Sequence, residues 1–169
     1  DSARSNLADI RRCGYAGLAS RITTHPFWQP DYGPPFPHAS AGASAVGVRG
    51  PLIAFNIDID TDDIKVAKRI AAKIRESNAG LAGVKALGLF LKDRGVAQVS
   101  MNITDVQATS LAMVYDRVSA LALTEDVEIL RSELIGMAGL QPVLDVAAHY
   151  LKMDMLGSDR ILSDPGQGG

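Results

Sequence analysis

The sequence predicts an α/β (α+β) domain over residues 51–155: a split βαββαβ sheet with its helices on one face, preceded by an extended arm rich in Pro and aromatic residues. Three observations predict it. Leu52 to Asp60 alternates Ile53, Phe55, Ile57 and Ile59 with Asn56, Asp58 and Asp60, the period-two pattern of a strand with one face buried. Val84 to Lys92 and Val96 to Ile103 are two short strand-like runs separated only by Asp93, Arg94 and Gly95, a spacing that suits a hairpin. Helical periodicity then fills the two gaps where a split βαββαβ unit needs crossovers.

Taken in order, residues 2–22 read as a short helix, because Leu7, Ile10, Leu18 and Ile22 recur at loosely helical spacing, with Gly14 and Gly17 weakening it. From Thr23 to Gly50, five prolines and four aromatics exclude a long helix or a central strand. This is the arm, expected to be tied to a surface by Phe27, Trp28, Tyr32 and Phe36. After the first strand, Thr61 is a candidate N-cap, with Asp62 and Asp63 in the first turn and Ile64, Ala67, Ile70, Ala71 and Ile74 forming an apolar stripe. A second helix is expected from Thr109 to Leu123 and a fourth strand from Val127 to Ile135. Pro142 suits the first turn of a third helix carrying Val143, Val146, Ala147, Tyr150 and Leu151. The boundaries are residues 1–50 for helix and arm, 51–155 for the domain, and 156–169 for a polar, Gly-rich tail expected to be flexible. With the first and third strands paired at the centre, this order is the ferredoxin-like arrangement.

Composition narrows the function classes. The chain has 169 residues, of which 47% are hydrophobic, enough for one sizeable core. Seventeen basic and nineteen acidic residues leave a net charge of -2, so no nucleic-acid partner is expected, and no apolar run is long enough for a membrane span. The single cysteine, Cys13, fits a reducing, cytoplasmic setting. The N-terminus has neither a signal-like apolar core nor a Met, so the chain is read as a piece of something longer.

The predicted pairing assigns the two faces of the sheet. Ile53, Phe55, Ile57, Val99 and Met101 meet the helices, and Asn56, Asp58, Gln98, Ser100 and Asn102 look the other way. A plain water-facing surface is one explanation, although lysines and glutamates usually solvate such a face. Short carboxamides and a hydroxyl lose less rotamer entropy when held, and they both donate and accept. They suit a heteroaromatic ligand with amide-like edges, or a second protein surface docked there. Other motifs carry less. His25, His38 and His149 lack metal-ligand spacing, and no metal site is expected. Ser100 lies in no G-x-S-x-G elbow, and residues 42–47 are neither a P-loop nor a dinucleotide fingerprint. Arg49 can hold a carboxylate as a fork, and Glu133, two residues after Arg131, reads first as half of a local charge pair.

The segments AGASAVGVRGPLIAFNIDI, GVKALGLFL, AQVSMNITD and RSELIG, in this order and spacing, resemble the C-terminal subdomain of the glutamate formimidoyltransferase (formiminotransferase) family. LADIRRCGYAGL followed by PFWQPDYGP is similar to the end of that family's N-terminal subdomain and the linker after it. The resemblance covers residues 3–155. It implies transfer of a formimino group from N-formiminoglutamate to tetrahydrofolate in histidine degradation, with folate held between two subdomains and the open sheet face as one wall. A homodimer is expected. Asn56, Gln98, Ser100 and Asn102 fall on motif positions expected to face that cleft, Glu133 is the candidate pterin contact, and Arg49 is a candidate for a glutamyl carboxylate. The family's catalytic histidine belongs to the N-terminal subdomain, and none of the three histidines here takes its role. The sequence departs from the family at Met137-Ala138-Gly139, where Val-Pro is usual, and at Cys13, where Gly is usual. The rival expectation is a non-catalytic interaction or dimerisation domain that uses the same sheet face.

Overall fold

The computed structural model describes residues 4–162. The chain divides into two compact units, residues 1–49 and 50–169.

In the first unit, the single helix expected over residues 2–22 is broken, and residues 2 and 3 lie outside the described range. Helix α1 spans Leu7–Ile10, a 3₁₀ turn covers Arg11–Cys13, and helix α2 spans Gly14–Arg21. The break falls at Gly14, whose φ of 58° is open to glycine and costly for other residues. Asn6 caps α1 by accepting from the Ala8 amide. Trp28 anchors the arm: its indole N–H donates to the Ile10 carbonyl at 3.0 Å, and the Arg21 guanidinium lies 4.9 Å from its ring centre. Phe27 meets Trp28 edge-on. Tyr32 and Phe36 do not share that role, since both are largely exposed.

The second unit carries the sheet. Strands β1 (Ile53–Ile59), β2 (Val84–Leu91), β3 (Val96–Ile103) and β4 (Ile129–Ile135) form one antiparallel sheet in the order β2-β3-β1-β4. β1 and β3 pair at the centre, as the split βαββαβ reading requires, with Ile57 opposite Val99 and Asp58 opposite Gln98. Helix α3 (Ile64–Ile74) buries Val66, Ala67, Ile70, Ala71 and Ile74, and helix α4 (Leu111–Thr124) buries Val114, Val118 and Leu121. These side chains close one core with Ile53, Ile57, Ile59, Val99, Met101 and Ile103, against which Phe55 packs at the edge. One cap differs from expectation. Asp63 caps α3 by accepting from the Lys65 amide, and Thr61 sits two residues before it, accepting from the Asp63 amide. Ser110 caps α4 through the Met113 amide.

Helix α5 (Leu140–Leu151) is more loosely held, with Leu144 as its one buried residue. Between it and the sheet lies an apolar cavity of about 380 Å³ bordered by Phe55, Tyr115, Leu134, Val146 and Tyr150. Of the expected tail, Ser158–Arg160 form a 3₁₀ turn, and residues 163–169 lie outside the described range. No described helix is long and apolar enough to cross a membrane.

A candidate ligand face on the sheet

The face turned away from the helices is ordered in rows by strand register. One row runs Leu89, Gln98, Asp58, Arg131 from β2 through β3 and β1 to β4. The next runs Leu87, Ser100, Asn56, Glu133, and the third Lys85, Asn102, Ala54, Ile135. Alternation puts every member of a row on the same side of the sheet, and direct cross-strand neighbours lie close enough to bond. Between Asp58 and Ile59 the register with β4 slips, and such an irregularity re-aims the side chains beside it.

The first two rows close into a network. Gln98 Nε2 donates to Asp58 Oδ1 at 2.7 Å, and Arg94 Nη1 donates to Asp58 Oδ2 at 2.8 Å. The same Oδ2 lies 3.1 Å from Arg131 Nε. Arg131 also pairs with Glu133, so the expected local charge pair is formed. Asn56 Nδ2 and Gln98 Nε2 each donate to Glu133 Oε1 at 3.4 Å, and Arg94 Nη2 stands 3.5 Å from Glu133 Oε2. Two carboxylates and two guanidiniums balance in formal charge, which makes burial of Asp58 tolerable.

Burial pushes the Glu133 carboxyl up, but the Asn56 hydrogen bond and the charges of Arg131 and Arg94 prevail and hold it below its ordinary value. The hydrogen bond to Asp58 raises the Arg94 guanidinium further still. Glu133 therefore presents an ionised, oriented acceptor beside carboxamides, with Leu87 and Leu89 exposed on the neighbouring strand as an apolar ledge. A flat heterocycle with paired N–H groups can lay its ring on such a ledge and its edge on the carboxylate.

The structure gathers only part of the predicted set. Asn56, Gln98 and Glu133 meet directly. Ser100 stands opposite Asn56 in the same row, whereas Asn102 lies one row away and is exposed. Arg49 ends the first unit and is not on a strand of the sheet. The expectation of a fully open face needs correction, because Asp58 and Gln98 are only 2% and 3% exposed, roofed by Arg94 and Arg131. Sequence reasoning passed over Asp58, Arg94 and Arg131 as site members. The fourth-strand register, which sets Arg131 opposite Asp58, would have signalled that pair, while Arg94 joins it from the β2–β3 turn.

The three histidines do local work. His25 accepts from the Phe27 amide, His38 Nδ1 caps the amides of Ser40 and Ala41, and His149 Nε2 lies 2.9 Å from Asp116 Oδ2.

Residues 54–161, which hold the whole network, match the family model described as formiminotransferase domain. The chain belongs to the formiminotransferase family. Residues 1–49 match that family's N-terminal subdomain model. A glutamate formimidoyltransferase of Streptococcus pyogenes serotype M1 is 40% identical over 151 residues, covering 89% of this chain and 50% of the relative. One of Thermoplasma acidophilum is 37% identical over 161 residues, covering 94% and 52%. The formimidoyltransferase-cyclodeaminase of Gallus gallus is 34% identical over 160 residues, covering 91% of this chain and 29% of the relative. This formiminotransferase-family chain thus spans about half the length of the first two relatives and under a third of the last.

Proposed function

We propose that this chain is the folate-binding half of a glutamate formimidoyltransferase, which moves the formimino group of N-formimino-L-glutamate onto tetrahydrofolate in histidine degradation. The observation that carries the reading is Glu133, an ionised carboxylate held from the side by Asn56, Gln98 and Arg131 on the exposed face of a formiminotransferase domain. A pterin ring offers adjacent ring N–H and amino donors, and one carboxylate accepts both. Asn56 and Gln98 keep Glu133 oriented, Ser100 supplies a hydroxyl in the same row, and Asn102 widens the polar surface.

In this reading the sheet forms one wall of a cleft, and the remainder of the protein supplies the other wall and the proton-shuttling group. His25, His38 and His149 are each occupied elsewhere, so this chain alone is expected to be inactive. Holding donor and acceptor together between two walls supplies much of the rate in group transfer. A cytoplasmic homodimer completes the proposal, and light scattering of the purified chain checks its mass.

Isothermal titration with a reduced folate tests the central claim. Binding is expected, and Glu133→Gln should weaken it at least tenfold, the scale of one charge-assisted hydrogen bond. Absence of binding, even with the other half supplied in trans, would overturn it. If Gln98→Ala and Asn102→Ala change oligomer mass while leaving folate binding intact, the sheet face is instead an interaction surface.

A further inference from the structure

Strand β4 ends the sheet order, and among the described residues the backbone of 130–134 bonds to β1 and to no other segment. Leu130, Arg131, Ser132, Leu134 and Ile135 are exposed. An edge strand that presents outward amides and carbonyls beside exposed leucines is a template for another strand, and edges that stay unpaired are commonly blunted by lysines or prolines. β4 has neither. Its one irregularity is the register slip against β1 beside Leu130, which bends one end of the strand and leaves Arg131 to Leu134 regularly paired.

We infer that the outer edge of β4 pairs antiparallel with β4 of a second copy of this chain, about a two-fold axis at Ser132. Charge complementarity selects this occupant, because Leu130-Arg131-Ser132-Glu133-Leu134 is complementary to its own reverse. Centred on Ser132, the pairing sets Leu130 opposite the partner's Leu134 and Arg131 opposite the partner's Glu133, and each contact occurs twice, as an isologous interface requires. Opposite charges directly across a ladder stabilise it, and like charges do the reverse. Moving the axis by one residue would set Arg131 opposite its own copy, or Glu133 opposite its own copy, so the alternatives are penalised. No bond within a protomer has to break. The Arg131–Glu133 pair of one protomer faces the same pair of the other, inverted, and four charges alternate in sign across the axis. On the other side of the sheet, Leu134 borders the apolar cavity with Val143 and Tyr150, all three partly exposed, and the partner's Leu130 adds apolar cover there. The inference rests on the homodimer proposed above and is independent of its folate.

Sedimentation velocity of the parent chain, of Leu130→Lys, of Leu134→Glu, and of the two variants mixed in equal amounts tests the pairing. The parent should be a dimer, and each variant alone should dimerise at least tenfold more weakly, because the symmetry loses its leucine contact twice. In the mixture the introduced lysine meets the introduced glutamate and the two remaining leucines meet each other, so dimer mass should return. A second measurement does not depend on those variants folding. In a Cys13→Ser background, Ser132→Cys stands on the axis, where opposed Cα atoms of paired antiparallel strands lie about 4.5–5.5 Å apart, within disulfide reach. Mild oxidation should join two copies, and Leu130→Cys in the same background should join far fewer. A monomeric parent would sink both this inference and the homodimer. A dimer that both variants leave intact, a mixture that stays monomeric, or no cross-link from Ser132→Cys would overturn the β4 pairing and leave a homodimer built elsewhere. A parent that dimerises in this way but fails to bind a reduced folate would keep the pairing and sink the folate reading.

Discussion

Asp58 and Gln98 stand opposite one another in the β1–β3 register, and the buried Gln98 carboxamide donates to Asp58 Oδ1 at 2.7 Å. A ligand face must be stable before it binds anything, and this bond lies under its centre. Gln98→Leu keeps the approximate volume but leaves a buried carboxylate oxygen without its donor. The expected cost is about 1–3 kcal/mol, read from the urea midpoint at neutral pH. Asn102→Ala, on an exposed residue of the same strand, should stay within about 0.5 kcal/mol. Equal effects from the two would mean that the network adds nothing to the sheet.

The Glu133 carboxyl is held below its ordinary value in the folded chain, which makes its contribution pH-dependent. A depressed folded-state value means that the stabilisation is present above the unfolded value, about 4.3 for glutamate, and is lost as pH falls through the folded value. Glu133→Gln should therefore lower stability at pH 7, and the gap from the parent should close under acid. Urea midpoints followed from neutral pH downward check this. Glu125, also held low by Arg69 on α3, makes a control away from the candidate site: Glu125→Gln should show the same trend without altering folate binding.

Helix α5 depends on contacts that can be read by titration. Tyr150 donates its phenol O–H to Asp116 Oδ1 at 2.8 Å, and the same aspartate faces His149. Burial first, then the bond and charge of Asp116, push the phenol up to about 12. Asp116→Asn removes the charge while retaining an acceptor, so the phenol should titrate closer to its ordinary value of 10.0. Ultraviolet titration of tyrosinate measures it. Burial remains the first cause, so return should be partial; no change at all would mean that Asp116 does not face the phenol.

How much of this was legible in the sequence depends on the range of each interaction. Period two in β1 and β3 announced both strands, and the short Asp93-Arg94-Gly95 link announced their hairpin partner, because these signals are local. Gly14 was recognised as a weak point, but not as the residue that ends one helix and begins another, since its positive φ is a property of the folded backbone. Asn56, Asp58 and Gln98 were legible as polar residues on one face, and Glu133 entered through the family resemblance. Their convergence with Arg94 and Arg131 was not legible, because it depends on the pairing register of β4 against β1 and on a turn side chain reaching back over the sheet. Of the four aromatics expected to anchor the arm, Trp28 does so because its indole N–H finds a carbonyl on α1, whereas Tyr32 and Phe36 stay exposed.

The spacing between sheet and helix, on which the whole face rests, is set by Gly88. A Cβ there would lie 2.3 Å from the Lys68 amide nitrogen and 2.6 Å from the Ala67 carbonyl carbon. Both are backbone atoms of α3, so no side-chain rotation relieves the clash. Gly88→Ala must push α3 away from β2, loosening the contacts of Ala67, Ile70 and Ala71 with Val84 and Ala86 in the core. Overpacking of this kind costs about 3 kcal/mol, at the upper end of its usual range because the obstacle is rigid. Gly95→Ala is the comparison: it has a φ of 67° but open space around the added carbon, so only the backbone preference is lost, about 1 kcal/mol. Thermal melting should therefore rank Gly88→Ala well below Gly95→Ala. Substituting Lys68 by a smaller residue should not rescue the former, because the clash is with the peptide at that position and not with its side chain.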